Sequence, residues 1–168
     1  MPRLTLLRWL AACALLLGAA NAHALCTALL GCACNASTGT LSFGTINPLS
    51  GSTSTTAGSV QVSCGGIASL LVPIKVELST GGSNSYTTRK LANGANTLNY
   101  NLYTDNAYQT VWGNGTGGSQ PVNTGILLDL LGQSPPLTLW IYARVPTGQT
   151  STPPGLYTDT ITVTVTYE

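Results

Sequence analysis

Apolar and polar residues alternate with a period of two over most of the chain beyond residue 40, as in strands that bury one face. Thr40-Leu41-Ser42-Phe43 alternates, and so does Ser59-Val60-Gln61-Val62-Ser63-Cys64. In Val72-Pro73-Ile74-Lys75-Val76-Glu77-Leu78 the aliphatic side chains share one face, and Lys75 and Glu77 take the other. Further strands are predicted over 98–103, 125–131, 137–145 and 157–167. Between them lie turn signals such as Asn47-Pro48, Gly81-Gly82, Asn93-Gly94, Asn114-Gly115 and Pro153-Pro154-Gly155. Residues 50–59, rich in Ser, Thr and Gly, read as a long connection. The one helix-like run, 126–131, is too short to stand as a helix. Roughly seven short strands with Gly- and Pro-rich turns predict an all-β sandwich or barrel.

The last strand carries the most information. From Thr160 to Glu168 the alternation is unbroken, with Ile161, Val163, Val165 and Tyr167 on one face and threonines on the other. Full burial of such side chains contributes about 1.5–3 kcal/mol each, so this face must pack on a core. The sequence stops there, leaving nothing to follow and cover the strand's outer edge, and long regular edges recruit other strands. Pattern alone leaves two readings open: an ordinary last strand flanked by earlier ones, or an edge awaiting a partner.

The first two dozen residues stand apart. Arg3 and Arg8, an apolar stretch from Trp9 to Ala20, and Ala22-His23-Ala24 have the layout of a secretory signal peptide, so 1–24 is expected to be removed. Cleavage after Ala22 is the alternative. Leu10-Ala11-Ala12-Cys13 resembles a lipobox, but Arg8 breaks the apolar segment just before it and most of the greasy run, Ala14 to Leu17, follows Cys13, which argues against lipidation. The remaining chain, about 144 residues, fits one domain. It holds Lys75, Arg89, Lys90 and Arg144 against Glu77, Asp105, Asp129, Asp159 and Glu168, a net charge of −1. No basic patch for nucleic acid follows from that balance.

Four cysteines remain beyond the leader: Cys26, Cys32, Cys34 and Cys64. An even number in an exported chain points to disulfides, with three pairings open. Zinc is the competing reading, and C-x5-C-x-C without histidine is poor metal spacing. The single histidine, His23, lies in the cleavage region, so His-based nucleophilic machinery is missing. The carboxylates are scattered, and Asp105 and Asp159 sit in turn-rich stretches where capping is their expected role. No enzyme, cofactor or metal site is therefore expected. Trp112, Tyr108 and Trp140 are candidates for an aromatic sugar platform, against the plainer reading of core packing. Trp140 alternates with Tyr142, which predicts that one of the two faces outward or lies in the second sheet.

Five landmarks occur in order: Phe43-Gly44 shortly after a cysteine; Gly58-Ser59-Val60-Gln61-Val62-Ser63-Cys64; Tyr100-Asn101-Leu102-Tyr103-Thr104-Asp105; Val111-Trp112-Gly113-Asn114-Gly115; and Gly155-Leu156-Tyr157-Thr158-Asp159-Thr160. Together they resemble the spore coat protein U domain of archaic chaperone–usher pilus subunits, over 34–168. The resemblance implies an incomplete immunoglobulin-like β-sandwich lacking its final strand. It implies a periplasmic chaperone that lends a strand, an outer-membrane usher that exchanges it, and neighbouring pilus subunits that supply the permanent one. Ile161, Val163, Val165 and Tyr167 would then wall the accepting groove, and the protein would pass through the periplasm to a cell-surface pilus in adhesion or biofilm.

The family's cysteine pattern carries over most simply onto Cys34 and Cys64, leaving Cys26 and Cys32 to pair locally. One departure stands out. A polymerising subunit needs an extended donor of about ten alternating residues ahead of its domain, and here only 25–33 precede Cys34. A Cys26–Cys32 bridge would bend that piece; without it Leu25, Thr27 and Leu29 form a short donor register. The contrasting reading is a self-contained secreted binding module, directed to carbohydrate or serving as a coat component.

Overall fold

The computed structural model describes residues 33–65, 71–127 and 135–167. The expected leader with Cys13, Cys26 and Cys32, the donor register of Leu25, Thr27 and Leu29, and the carboxylates Asp129 and Glu168 lie outside the described residues.

The strand β2 (Ser54–Gly65) organises the larger sheet. Val60, Val62 and Cys64 point inward and are buried, while Gln61 and Ser63 between them are exposed. β2 pairs on one side with β1 (Ala33–Thr38) and on the other with β7 (Leu137–Val145). β7 continues to β5 (Asn96–Tyr103), which pairs with β4 (Arg89–Asn93) across a tight Gly94-containing turn. The five-stranded order is β1-β2-β7-β5-β4. Facing it is a three-stranded sheet, β6 (Val122–Leu127), β3 (Leu71–Leu78) and β8 (Val163–Tyr167), in the order β6-β3-β8. All pairings of named strands are antiparallel. This is an immunoglobulin-like sandwich of two packed sheets.

The inner faces follow the period of two. Val72, Ile74, Val76 and Leu78 of β3 meet Leu98, Tyr100 and Leu102 of β5 and Ile141, Ala143 and Val145 of β7 in one core. Outside, Lys75 and Glu77 pair at 3.0 Å. Cys34 and Cys64 face each other in the β1–β2 register and form a disulfide. Closing a loop over a sequence separation of 30 stabilises by about 3–4 kcal/mol on chain-entropy grounds.

Several elements differ from the sequence-based expectation. Residues 54–59 belong to β2, because threonine and serine suit a strand whose register is set by β7. Residues 40–43 do alternate, with Leu41 and Phe43 packed on the core, but the stretch lies in no strand ladder. β6 starts at Val122, earlier than predicted, with Val122, Thr124 and Ile126 opposite Val76, Ile74 and Val72. The ladder of β8 begins only at Val163. β1 and β4 were not anticipated. β1 has almost no large apolar residue, and β4 places a charged Arg89 at an inward position, which hides its alternation.

Candidate functional site: an open strand edge

Among the described residues β8 is hydrogen-bonded to β3 alone. Val163 stands opposite Leu78, Val165 opposite Val76 and Tyr167 opposite Ile74. Among the described residues no strand pairs with its other edge. The inward side chains Ile161, Val163 and Val165 touch the core yet stay only half-buried, whereas their β3 neighbours Val76 and Leu78 are 0% and 1% exposed. Tyr167, at the end of the ladder, is 37% exposed. Thr162, Thr164 and Thr166 face solvent.

Residues 39–46 run out of β1 without joining a sheet and make no backbone–backbone hydrogen bond among the described residues. Their apolar side chains still turn inward. Leu41 lies over Gly58 of β2, where a side chain would press against it. Phe43 meets the Tyr100 ring edge-on, with centroids 6.2 Å apart. Ile46 is half-buried on the same core. A cleft of about 900 Å³ separates residues 40–49 from 152–159, with Leu91 and Leu98 also in its wall. At its margins Leu49 and Leu156 are 74% and 81% exposed. Beyond the cleft, β1 and β8 approach one another. Among the described residues β8 thus presents an unpaired backbone edge beside half-buried apolar side chains, which is the form of a site for an added strand.

A polar knot fixes the foot of β8. The backbone of Ser79, just after β3, donates to the Thr162 carbonyl at 2.9 Å, and the Ser79 hydroxyl accepts from the Thr162 N–H at 2.9 Å. The Ser79 carbonyl in turn accepts from Arg89 Nε at 3.0 Å and Nη2 at 2.8 Å. Arg89 is wholly buried, and it also donates to Asn101 Oδ1 at 2.6 Å and to the Trp112 carbonyl at 2.7 Å. The Tyr86 ring lies 5.3 Å from its guanidinium carbon. Burial lowers the Arg89 pKa from its ordinary value, and nearby acidic groups work against that shift. Asn101 completes its own bonding by donating to the carbonyls of Tyr86 and Thr87.

Asp159 ties the same region from the other side. It accepts from the Tyr100 hydroxyl at 2.7 Å and from the N–H groups of Gly82 and Thr160. Burial, reinforced by the hydrogen bond to Asp159, raises the Tyr100 pKa far above its ordinary value. Gly81 has a φ of 63°, and a Cβ there would run into the Asp159 carboxylate, so both backbone and space demand glycine. Asp105 serves its own loop by accepting from the N–H groups of Ala107, Gln109 and Thr110. The two aspartates thus do the turn-capping work expected of them. Trp112 belongs to the core and not to a sugar platform: it is fully buried, and its Nε1 donates to the Val76 carbonyl at 2.9 Å.

Val163, Val165 and Tyr167 lie on β8, whose outer edge no described strand pairs, and Ile161 precedes it in the same alternation. The inward packing of Leu41, Phe43 and Ile46 outside any strand ladder goes beyond the sequence-based expectation. The signal is the alternation of residues 40–43, which by pattern alone reads as an ordinary strand. Arg89 was missed altogether, because a lone arginine in a polar stretch reads as surface.

No curated protein matches the chain in sequence. Among solved structures it is similar in fold to a chain of the chaperone–tip adhesion subunit pre-assembly complex from the archaic chaperone-usher Csu pili of Acinetobacter baumannii. The TM-score is 0.51 at 19% identity, covering 80% of this chain. The likeness spans only 39% of that neighbour's length. Residues 19–164 match the Spore Coat Protein U domain, and the chain belongs to that family.

Proposed function

We propose that this protein is a structural or adhesive subunit of a chaperone–usher surface pilus, completed by a β-strand from another polypeptide. One observation carries the reading: among the described residues no strand pairs with the outer edge of β8, and its apolar face, Ile161, Val163 and Val165, is only half-covered. Family membership supports it, as does a fold neighbour that comes from a chaperone–subunit complex. A donated strand would bond to β8, bring these side chains under cover and close the sandwich. In this reading 1–24 is a signal peptide, 25–33 a short N-terminal segment and 34–168 the subunit domain. The partners are a periplasmic chaperone, an outer-membrane usher and neighbouring subunits, and the product reaches the cell surface.

We assign no catalysis. Of the carboxylates in the described residues, Glu77 pairs with Lys75, while Asp105 and Asp159 accept hydrogen bonds from backbone N–H groups. The test is export of the protein with and without a pilus-type chaperone. Alone it should aggregate or be degraded, and with the chaperone it should accumulate as a soluble one-to-one complex. A soluble monomer that refolds reversibly by itself would contradict the proposal.

A further inference from the structure

The outer face of the five-stranded sheet points away from the core and carries a second, unrelated feature. Trp140, Tyr142 and Arg144 of β7 share this face, so Trp140 and Tyr142 both turn outward, against the expectation that they would divide between two surfaces. Trp140 is 57% exposed. On the β2 side its neighbour is Ser59, and Ala57 and Thr55 stand opposite Tyr142 and Arg144. These small residues leave Trp140 exposed above a hydroxyl-bearing strand, while Tyr142 is half-buried with Tyr103 of β5 opposite it.

Arg144 is held in place by aromatics. Its guanidinium carbon lies 5.3 Å from the Tyr103 ring and 5.0 Å from the Tyr108 ring, and those rings meet edge-on at 5.5 Å. Tyr108 reaches it from a loop in which its own φ is 56°, a left-handed conformation that a bulky residue adopts at a cost. The Asp105 carboxylate enforces that loop by accepting from Ala107, Gln109 and Thr110, and so turns its charge onto its own backbone. Nη2 of Arg144 makes one long bond, 3.4 Å, to the Tyr103 hydroxyl, and no carboxylate pairs with Arg144 among the described residues. No strand of this sheet contains Asp or Glu, and Lys90 on β4 adds an exposed cation to the half-buried Arg144.

We infer that this face binds an acidic oligosaccharide, with Trp140 stacked on a sugar ring and Arg144 engaging a sugar carboxylate. The C–H face of a pyranose is weakly positive and apolar and suits the negative face of an indole. A guanidinium with free donors presents the planar fork that a carboxylate matches. Trp140 and Arg144, four residues apart on one strand, are separated by about 13 Å at ~3.3 Å per residue, which calls for an oligomer and not a single ring. Hydroxyls and small side chains between them fit a polyhydroxylated ligand. A second protein would need about 800 Å² of complementary surface, and a single exposed tryptophan amid threonines and serines does not provide it. Nucleic acid needs a track of cations along its phosphates, which a face with two cations lacks.

The experiment titrates the purified protein with two carboxylated probes, oligogalacturonate and sialyllactose, and with a neutral maltooligosaccharide as control. Intrinsic tryptophan fluorescence is the readout, because Trp112 is fully buried and Trp140 is exposed. At least one acidic probe should give a saturable change, tenfold or more tighter than the neutral sugar and weakened by salt. Trp140→Ala should abolish it without moving the unfolding midpoint. Arg144→Gln should reduce the acidic probe to the level of the neutral one, and Arg144→Lys, which keeps charge but loses the fork, should fall between. The inference is overturned if neither acidic probe saturates, if neutral and acidic sugars bind alike, or if Trp140→Ala binds like the parent. It is equally overturned if Trp140→Ala abolishes only self-association, which would make this face a contact between copies.

Discussion

Replacing Arg89 by methionine tests whether the knot beneath β8 holds the sandwich together. The substitution keeps an unbranched side chain of similar length in a fully buried site, so the lost quantity is bonding and not bulk. It strips hydrogen bonds from three acceptors: the Ser79 carbonyl, the Trp112 carbonyl and Asn101 Oδ1. Asn101 Oδ1 retains the Leu102 N–H at 3.0 Å, so the two carbonyls bear most of the loss. A buried acceptor left unsatisfied costs about 1–3 kcal/mol. Against this, methionine carries no desolvated charge, which returns part of the loss. The net expectation is a destabilisation of about 2–4 kcal/mol, read as a lower urea midpoint at unchanged m-value. Because the Ser79 hydroxyl and N–H clasp Thr162, hydrogen exchange at residues 160–163 should accelerate more than at β2. A variant within about 0.5 kcal/mol of the parent, the range of ordinary surface changes, would refute the reasoning.

Two further outcomes are expected. Replacing Cys34 and Cys64 by serine should lower stability by about 3–4 kcal/mol, and reductant should shift the parent's urea midpoint toward the variant's without moving the variant's own. The Asp105 carboxyl is held below its ordinary pKa, chiefly by the Thr110 N–H and then by the Gln109 N–H. A depressed folded-state pKa gives stability that is present above the unfolded value and lost as pH falls through the folded one. Melting temperature should therefore drop with acidification below the ordinary carboxylate range, and Asp105→Asn should flatten that slope; equal slopes would contradict it.

Much of the architecture was legible because one periodicity dominates. β3, β5 and β7 each alternate visibly and were placed within two residues of their ends. What escaped was wherever side-chain type and role part company. Arg89 occupies an inward position and is satisfied by carbonyls contributed from distant parts of the chain, which no local pattern announces. Residues 40–43 have the alternation of a strand but no partner, and partnering is a property of the fold and not of the segment. The same holds for β8. Its sequence marks an apolar face, while the edge that no described strand pairs emerges only from the strand order. Trp112 and Trp140 look alike in sequence, yet one fills the core and the other stands on the surface.

The most direct test of the open edge is to supply the missing strand within the same molecule. An alternating apolar segment of about seven residues, joined behind Glu168 through a short Asn-Gly turn, would reach back along β8. The tether makes docking intramolecular, and the segment's backbone ordering, about 1–2 kcal/mol per residue, is offset by its own hydrogen bonds to β8 and its own buried side chains. If Ile161, Val163 and Val165 each gain about 1 kcal/mol, half the value of full burial, the melting temperature should rise by about 10 °C. Amides of β8 should become protected from exchange, and the protein should become monomeric. An unchanged melting temperature, with β8 amides equally protected in the parent, would show that the edge is already satisfied and contradict the account.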